Sequence, residues 1–345
     1  MNNIAGKPSP RRLQKLLANS FGAHCDNLLV GPGPGLDAAV LSLGSGYVMA
    51  IAEDPIFPAP GLPLDIMGWF TVHIGASDVA VTGVKPRFMS YTLLLPRGCP
   101  ESDASTIITS ISDAAQDLDI SVVGGHTGWY DAVTIPTIGG VTVWGFAEDD
   151  KWISPGGAQS GDVLLLTKGP AIEATALLGV LYRERLADKL DSATLAAACS
   201  RVKQITVVED ALVAFGAGGV HAMHDATEGG VIGGLWEMAA AANLQIQANL
   251  DNVPVPADIA ALAQALEFDP WSAISEGTLL AAVAPDAVDT VTAAWARAGI
   301  DSFPVGCFGD PGAALTVQLN GQTTAIPEPP PDPFWDLFFA GLGQQ

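Results

Sequence analysis

The chain has 345 residues, enough for two domains with their own cores, and 49% of them are hydrophobic, which excludes a disordered protein. Lys plus Arg total 15 against 37 Asp plus Glu, a formal net charge of -22. So acidic a surface repels nucleic acid and anionic membranes; it equally fits a simple solubility trait, but an anionic substrate would arrive with a metal ion. Cys25, Cys99, Cys199 and Cys307 are far apart in sequence, so there is no CxxC metal or redox motif. The first residues lack a long apolar core and no unbroken apolar run reaches membrane-spanning length, so a reducing cytoplasmic compartment is expected.

Taken in order, residues 9–21 read as a helix with Leu13, Leu16, Leu17 and Phe21 on one face. A short strand at 28–30 leads into the turn-rich loop Gly31-Pro32-Gly33-Pro34-Gly35. Strands follow at 36–41 and 47–52, the first beginning at Asp37 and the second ending at Glu53-Asp54. Paired antiparallel, they bring both carboxylates to one sheet edge. A helix over 65–81 has its apolar face interrupted by His73, Ser77 and Asp78. Then come a strand at 87–95, a helix at 103–118, a strand at 121–123 stopping at Gly124-Gly125-His126-Thr127, and a strand or pair at 135–146.

The Pro- and Gly-rich stretch 152–160 reads as a junction, dividing the chain into domains 1–152 and 153–345. Beyond it lie a strand at 163–167, a helix at 171–182 and a helical stretch at 192–215. The run His221-Ala222-Met223-His224-Asp225-Ala226-Thr227-Glu228-Gly229-Gly230 ends a strand and opens a helix, with Thr227 as its expected cap. Strands at 244–250 and 278–283, helices at 257–266 and 287–298, and a strand pair at 303–317 complete an α/β (α+β) pattern. A proline run at 327–333 precedes Phe334, Trp335, Phe338 and Phe339, which can pack back on the body.

Asp37, Asp54, Asp78, Asp225 and Glu276 each sit near an element terminus beside Gly, Thr or Ser. A carboxylate in apolar surroundings must be capped, paired or metal-bound, and Mg²⁺ takes a few carboxylates plus substrate phosphates. The open helix start at Gly229 and Gly230 favours an anion. Taken singly, each residue also has a plain structural role open to it: a solvated helix face for Asp78, a turn for Glu276, a loop position for His126. No Ser/His/Asp or Cys/His order points to nucleophilic catalysis.

The order Gly35-Leu36-Asp37, Glu53-Asp54-Pro55, Ser77-Asp78, Gly124-Gly125-His126-Thr127, Gly161-Asp162 and Asp225-Ala226-Thr227-Glu228-Gly229-Gly230 resembles the aminoimidazole ribonucleotide (AIR) synthase superfamily. Within it, the chain is most similar to the hydrogenase-maturation carbamoyl dehydratases (HypE). The resemblance implies a two-domain PurM-like fold whose N-terminal domain forms half of a dimeric β-barrel, with staves near Val48 and Thr92, and a C-terminal α/β domain. It implies ATP and Mg²⁺, with Asp37, Asp54, Asp78 and Asp225 at the metal. Lys7, Gly35, Gly124, Gly125, Thr127, Thr227, Gly229 and Gly230 fall to the nucleotide, and Asp78 and His126 to catalysis. It further implies a homodimer, a small-molecule substrate and a maturation partner protein. The reaction implied is ATP-driven phosphorylation of a carbonyl or amide-type oxygen. A homologue that binds nucleotide without turnover, a scaffold without nucleotide, and a small-molecule kinase like thiamine-monophosphate kinase stay open.

The chain departs from the superfamily in having Ser77 before Asp78, His126 in place of an acid, and Glu228 where Arg is common. It ends Gly341-Leu342-Gly343-Gln344-Gln345 without the C-terminal cysteine that carries the dehydratase substrate, and has no cysteine in its N-terminal Gly-rich loop, as selenophosphate synthetase needs.

Overall fold

The computed structural model describes residues 6–17, 20–57 and 62–342. Two sheets organise it. The first takes β1 (Leu28–Val30), β2 (Ala39–Gly44), β3 (Tyr47–Ile56), β4 (Phe88–Pro96), β5 (Ser121–Tyr130) and β6 (Thr137–Glu148) in the order β1-β2-β3-β6-β4-β5. The second takes β7 (Val163–Thr167), β8 (Val220–Asp225), β9 (Leu244–Asn249), β10 (Leu279–Val283), β11 (Ser302–Pro311), β12 (Ala314–Leu319) and β13 (Gln322–Ala325) in the order β13-β12-β9-β11-β7-β10-β8.

The helices are α1 (Pro10–Leu17), α2 (Leu64–Ala80), α3 (Glu101–Asp117), α4 (Ile172–Leu181), α5 (Arg183–Ala187), α6 (Ser192–Ser200), α7 (Val208–Ala217), α8 (Gly230–Ala242), α9 (Ala257–Leu266), α10 (Val288–Arg297) and α11 (Phe334–Leu342). The helix expected over 9–21 is α1; residues 18 and 19 lie outside the described residues, as do Gly343, Gln344 and Gln345.

α2 is apolar nearly all round because it is buried on both sides: Val72, Ala76 and Val79 lie fully inside, and Gly68 lets α3 approach so closely that a Cβ would meet the Ile107 carbonyl at 2.7 Å. Its buried polar groups reach the second half of the chain. Ser77 Oγ accepts the Val207 N–H at 3.0 Å, and His73 Nδ1 lies 3.1 Å from Thr206 Oγ1. One continuous core therefore runs from the first sheet through α2 to α4, α7 and α9. A second fills the other face of the second sheet, where Val231, Leu235 and Met238 of α8 pack on Ile246, Phe308 and Leu315. Each such side chain contributes about 1.5–3 kcal/mol by leaving water.

Several expected boundaries move. The strand expected to stop at 123 runs on as β5 to Tyr130, because Gly125, with φ +143°, lies so close to β4 that a Cβ would collide with the Tyr91 carbonyl; the glycines pair as strand residues and form no loop. The stretch 192–215 splits into α6 and α7, since its middle is used for the contacts to α2. Asp78 stands in the last turn of α2, and β3 continues past Asp54 to Ile56. Phe334 and Phe338 pack back on the body, 2% and 3% exposed.

Candidate functional site

Strand register assembles the site. β2 and β3 pair antiparallel with Ala39 opposite Ile51, which sets Asp37, two residues before β2, beside the Glu53-Asp54 end of β3. β10 pairs antiparallel with β8, with Leu279 opposite Asp225, so the turn holding Glu276 ends beside Asp225. The last turn of α2 delivers Asp78 between these two sheet ends. All converge on a cleft of about 920 Å³ whose walls include Lys7, Gly35, Asp37, Asp54, Asp78, Thr227, Gly229, Glu237 and Glu276.

The carboxylates are deep and poorly satisfied. Asp225 and Glu276 are each 1% exposed; both oxygens of each, and Oδ2 of Asp54, are buried with no hydrogen-bond partner among the described residues. Burial, with the Asp225 carboxylate alongside, pushes Glu276 well above the usual carboxylate range. Burial and the Asp54 and Asp225 charges do the same to Asp78. Asp37 rises to about 6, burial and Asp225 outweighing the nearby His224. Buried oxygens without donors are what a hard divalent cation satisfies, so this donor set fits Mg²⁺.

Asp37, His224 and Asp225 also place ligand atoms within 4.8 Å of one another. Both His224 nitrogens are engaged, however: Nδ1 lies 2.8 Å from an Asp37 oxygen and Nε2 3.2 Å from Glu237 Oε2. Burial alone would lower its pKa, but Asp37 and Glu237 raise it well above the ordinary imidazole value. His224 is therefore the buried cation that holds two carboxylates, with no lone pair left for a metal. Lys7 sits at the exposed rim with its ammonium turned inward; burial of that group opposes its charge, and Glu237, Asp37, Glu228 and Asp78 outweigh it, raising it to about 12.

The start of α8 differs from expectation in one respect. Thr227 lines the cleft, but its hydroxyl does not cap the helix. Gly229 is the N-cap, in the left-handed region at φ 83°, and the Thr227 carbonyl accepts the Gly230 N–H at 3.0 Å. The loop is too tight for a side-chain cap: a Cβ on Gly230, at φ 60°, would meet the Ala273 carbonyl at 2.6 Å.

Gly124, Gly125, His126 and Thr127 are not brought to this cleft. They lie mid-strand on exposed β5, the sheet edge, where His126 Nε2 pairs with Tyr130 Oη at 2.5 Å. Gly125 instead lines a smaller cavity of about 300 Å³ with Tyr91, Thr142 and Glu53, and Glu53 borders both cavities.

His224, Glu237, Glu173 and Asp332 also line or support the cleft and escaped the reading of the sequence. For Glu173 and Glu237 there was a signal: a lone carboxylate inside Ala171-Ile172-Glu173-Ala174 or Leu235-Trp236-Glu237-Met238 cannot stay unpaired in a core. Burial, with Asp332 nearby, raises Glu173 to about 8, whereas His224 and Lys7 hold Glu237 low against its burial.

Among known families, residues 35–147 match the N-terminal domain and residues 159–317 the C-terminal domain of AIR synthase related protein. Carbamoyl dehydratase HypE of Rhizobium leguminosarum bv. viciae is 26% identical over 301 residues, covering 86% of this chain and 81% of that protein. The fold is that of solved HypE structures. HypE in a HypE–HypF complex aligns with TM-score 0.72 at 19% identity, over 92% of this chain and 99% of that one. HypE in complex with ATP aligns with TM-score 0.68 at 20% identity, over 96% of this chain and 97% of that one.

Proposed function

This chain belongs to the AIR synthase-related family, and from that premise we propose that it is an ATP- and Mg²⁺-dependent enzyme that phosphorylates a carbonyl or amide-type oxygen of a small molecule or carrier group. The observation that carries the reading is the set of buried carboxylate oxygens of Asp54, Asp225 and Glu276 that have no hydrogen-bond partner among the described residues, with Asp54 and Glu276 lining a large cleft. Similarity to HypE, which has been solved with ATP, supports the choice of nucleotide.

In this reading Asp37, Asp54, Asp78 and Asp225 hold Mg²⁺. His224 keeps Asp37 oriented, Lys7 balances phosphate charge at the rim, and the Gly229–Gly230 helix start, with Thr227 and Gly35 beside it, receives phosphate oxygens. Bound Mg·ATP supplies the activated phosphoryl group together with the charge that lets anionic oxygens approach. The chain's own contribution is positioning and exclusion of water. Gly125 lines the smaller cavity that shares Glu53 with the cleft, while Gly124, His126 and Thr127 stand on the exposed β5 edge, away from the proposed Mg·ATP site.

We further assign domains 1–152 and 153–345, a cytoplasmic location, and a homodimer formed through the first sheet, whose β1 and β5 edges expose Leu28, Leu29, Val122, Val123 and Trp129. No helix among the described residues is long and apolar enough to cross a membrane. The likeness to HypE solved in complex with HypF supports a maturation partner protein.

Calorimetric titration with Mg·ATP tests the core of this reading: no heat and no thermal shift at millimolar nucleotide overturn it. Turnover of ATP with candidate amides then separates an enzyme from a homologue that only binds. A monomer mass by light scattering at micromolar concentration overturns the dimer.

A further inference from the structure

The mouth of the cleft is roofed by an N-terminal and a C-terminal segment, and each is tied to the start of α8 by a carboxylate hydrogen bond. Glu228 Oε2 accepts the Lys7 backbone N–H at 2.6 Å. Asp332 Oδ2 accepts the Gly229 N–H at 2.8 Å, while its Oδ1 accepts the Phe334 N–H at 2.8 Å and starts α11.

The C-terminal segment is built to stay in place. Pro327, Pro329, Pro330, Pro331 and Pro333 stiffen it. The Pro327 carbonyl accepts from Trp236 Nε1 at 3.2 Å and from Arg11 Nη2 at 3.4 Å. Phe334 and Phe338 are buried, and Tyr182 Oη donates to the Leu337 carbonyl at 2.6 Å. Trp335 lines the cleft with its indole N–H buried and without a partner among the described residues.

Gly229, the N-cap, lines the cleft, and its N–H is one of the donors that this helix start offers an anion. A carboxylate already occupies it, and the same corner of the cleft holds Glu228. A triphosphate entering beside these charges is repelled as long as Asp332 remains.

Resting on the nucleotide reading above, we propose that residues 327–342 form an autoinhibitory strap, with Asp332 seated as a built-in competitor where a phosphate group of Mg·ATP binds. Nucleotide binding exchanges one acceptor for another: the Asp332–Gly229 hydrogen bond breaks and a phosphate oxygen takes the freed N–H, with no covalent change. Binding of nucleotide is thereby coupled to release of the C-terminal segment from the mouth of the cleft.

The test compares full-length wild type, Asp332→Ala and Asp332→Asn by Mg·ATP titration calorimetry, with melting temperatures on the same preparations. The Asn variant keeps an acceptor for the Phe334 cap and loses only the charge. Both variants should bind Mg·ATP about tenfold tighter than wild type, about 1.4 kcal/mol. In wild type, Mg·ATP should accelerate amide exchange across 328–339 several-fold, a readout that needs no variant to fold. Wild type that binds while both folded variants bind no tighter overturns the strap and leaves the nucleotide reading standing. No binding by any of the three overturns both. Exchange across 328–339 that is unchanged or slowed by Mg·ATP also overturns the strap.

Discussion

Two glycine pairs in this chain, Gly124-Gly125 and Gly229-Gly230, look alike locally and live in opposite surroundings. The first lies in exposed β5, where the backbone hydrogen-bonds to β4 and the side chain of His126 is satisfied by Tyr130 four residues on. The second follows a buried strand end, opens α8, and faces a wall of carboxylates of which several have no donor among the described residues. Glycine in one case permits two strands to approach and in the other opens a helix terminus towards a cavity. What makes the second a candidate site is the unsatisfied charge that the fold collects in front of it.

The sharpest way to break this contrast is to remove the cation that holds the cleft together. His224→Leu leaves Asp37 and Glu237 buried without their shared partner and should cost about 3–5 kcal/mol of stability, read by chemical denaturation. A loss below about 1 kcal/mol would mean that these carboxylates are already protonated and that the charge picture is wrong.

Asp225→Asn comes next. It should weaken Mg·ATP binding about tenfold or more, about 1.4 kcal/mol, while the apo protein melts no lower than wild type, because a like charge leaves the cluster around Asp37, Asp78 and Glu276. Unchanged affinity together with a lowered melting temperature would make Asp225 a structural residue.

The cleft should also show in the pH dependence of stability. Glu173 is raised from 4.5 to about 8, so between those values the native state retains a proton that the unfolded chain has released. Its contribution is complete below about pH 4.5 and is lost as pH rises towards 8, with a slope of up to about 1.4 kcal/mol per pH unit. Glu173→Gln should flatten the fall in melting temperature between pH 5 and 8; an unaltered profile would assign that fall to other groups.

The smallest effect is expected at the other glycine pair. His126→Ala should leave Mg·ATP affinity within about twofold and stability within about 0.5 kcal/mol, as for an exposed surface position. A large loss of affinity would erase the contrast between the two regions and bring β5 to a nucleotide site.

Most elements of the fold could be read in the chain. Apolar periodicity located α2, α3, α8, α9 and most strands of both sheets, though not the exposed edge strand β13, because burying one face or both leaves a mark in the spacing of side chains. Its failures share a cause. β5 was cut short at Gly124 because the close approach of β4, which makes glycine necessary there, is a long-range contact. The 192–215 stretch was read as one helix because its break serves Ser77 and His73 on α2. Thr227 resembled an N-cap by residue type, and a loop pressed against Ala273 left the cap to Gly229.

By itself, the sequence determined the layered α/β class, the acidic surface, and the carboxylates Asp37, Asp54, Asp78, Asp225 and Glu276 as a set, since an Asp or Glu among apolar residues and glycines needs a partner wherever it ends up. Only the tertiary structure decided which partner. The register of β8 on β10 put Glu276 against Asp225, the packing of α8 put Glu237 and His224 together, and the return of the C-terminal segment set Asp332 on Gly229. Electrostatic pairing acts over a few ångströms in space between residues up to 187 positions apart in the chain, as Asp37 and His224 are, and no local spacing rule encodes it.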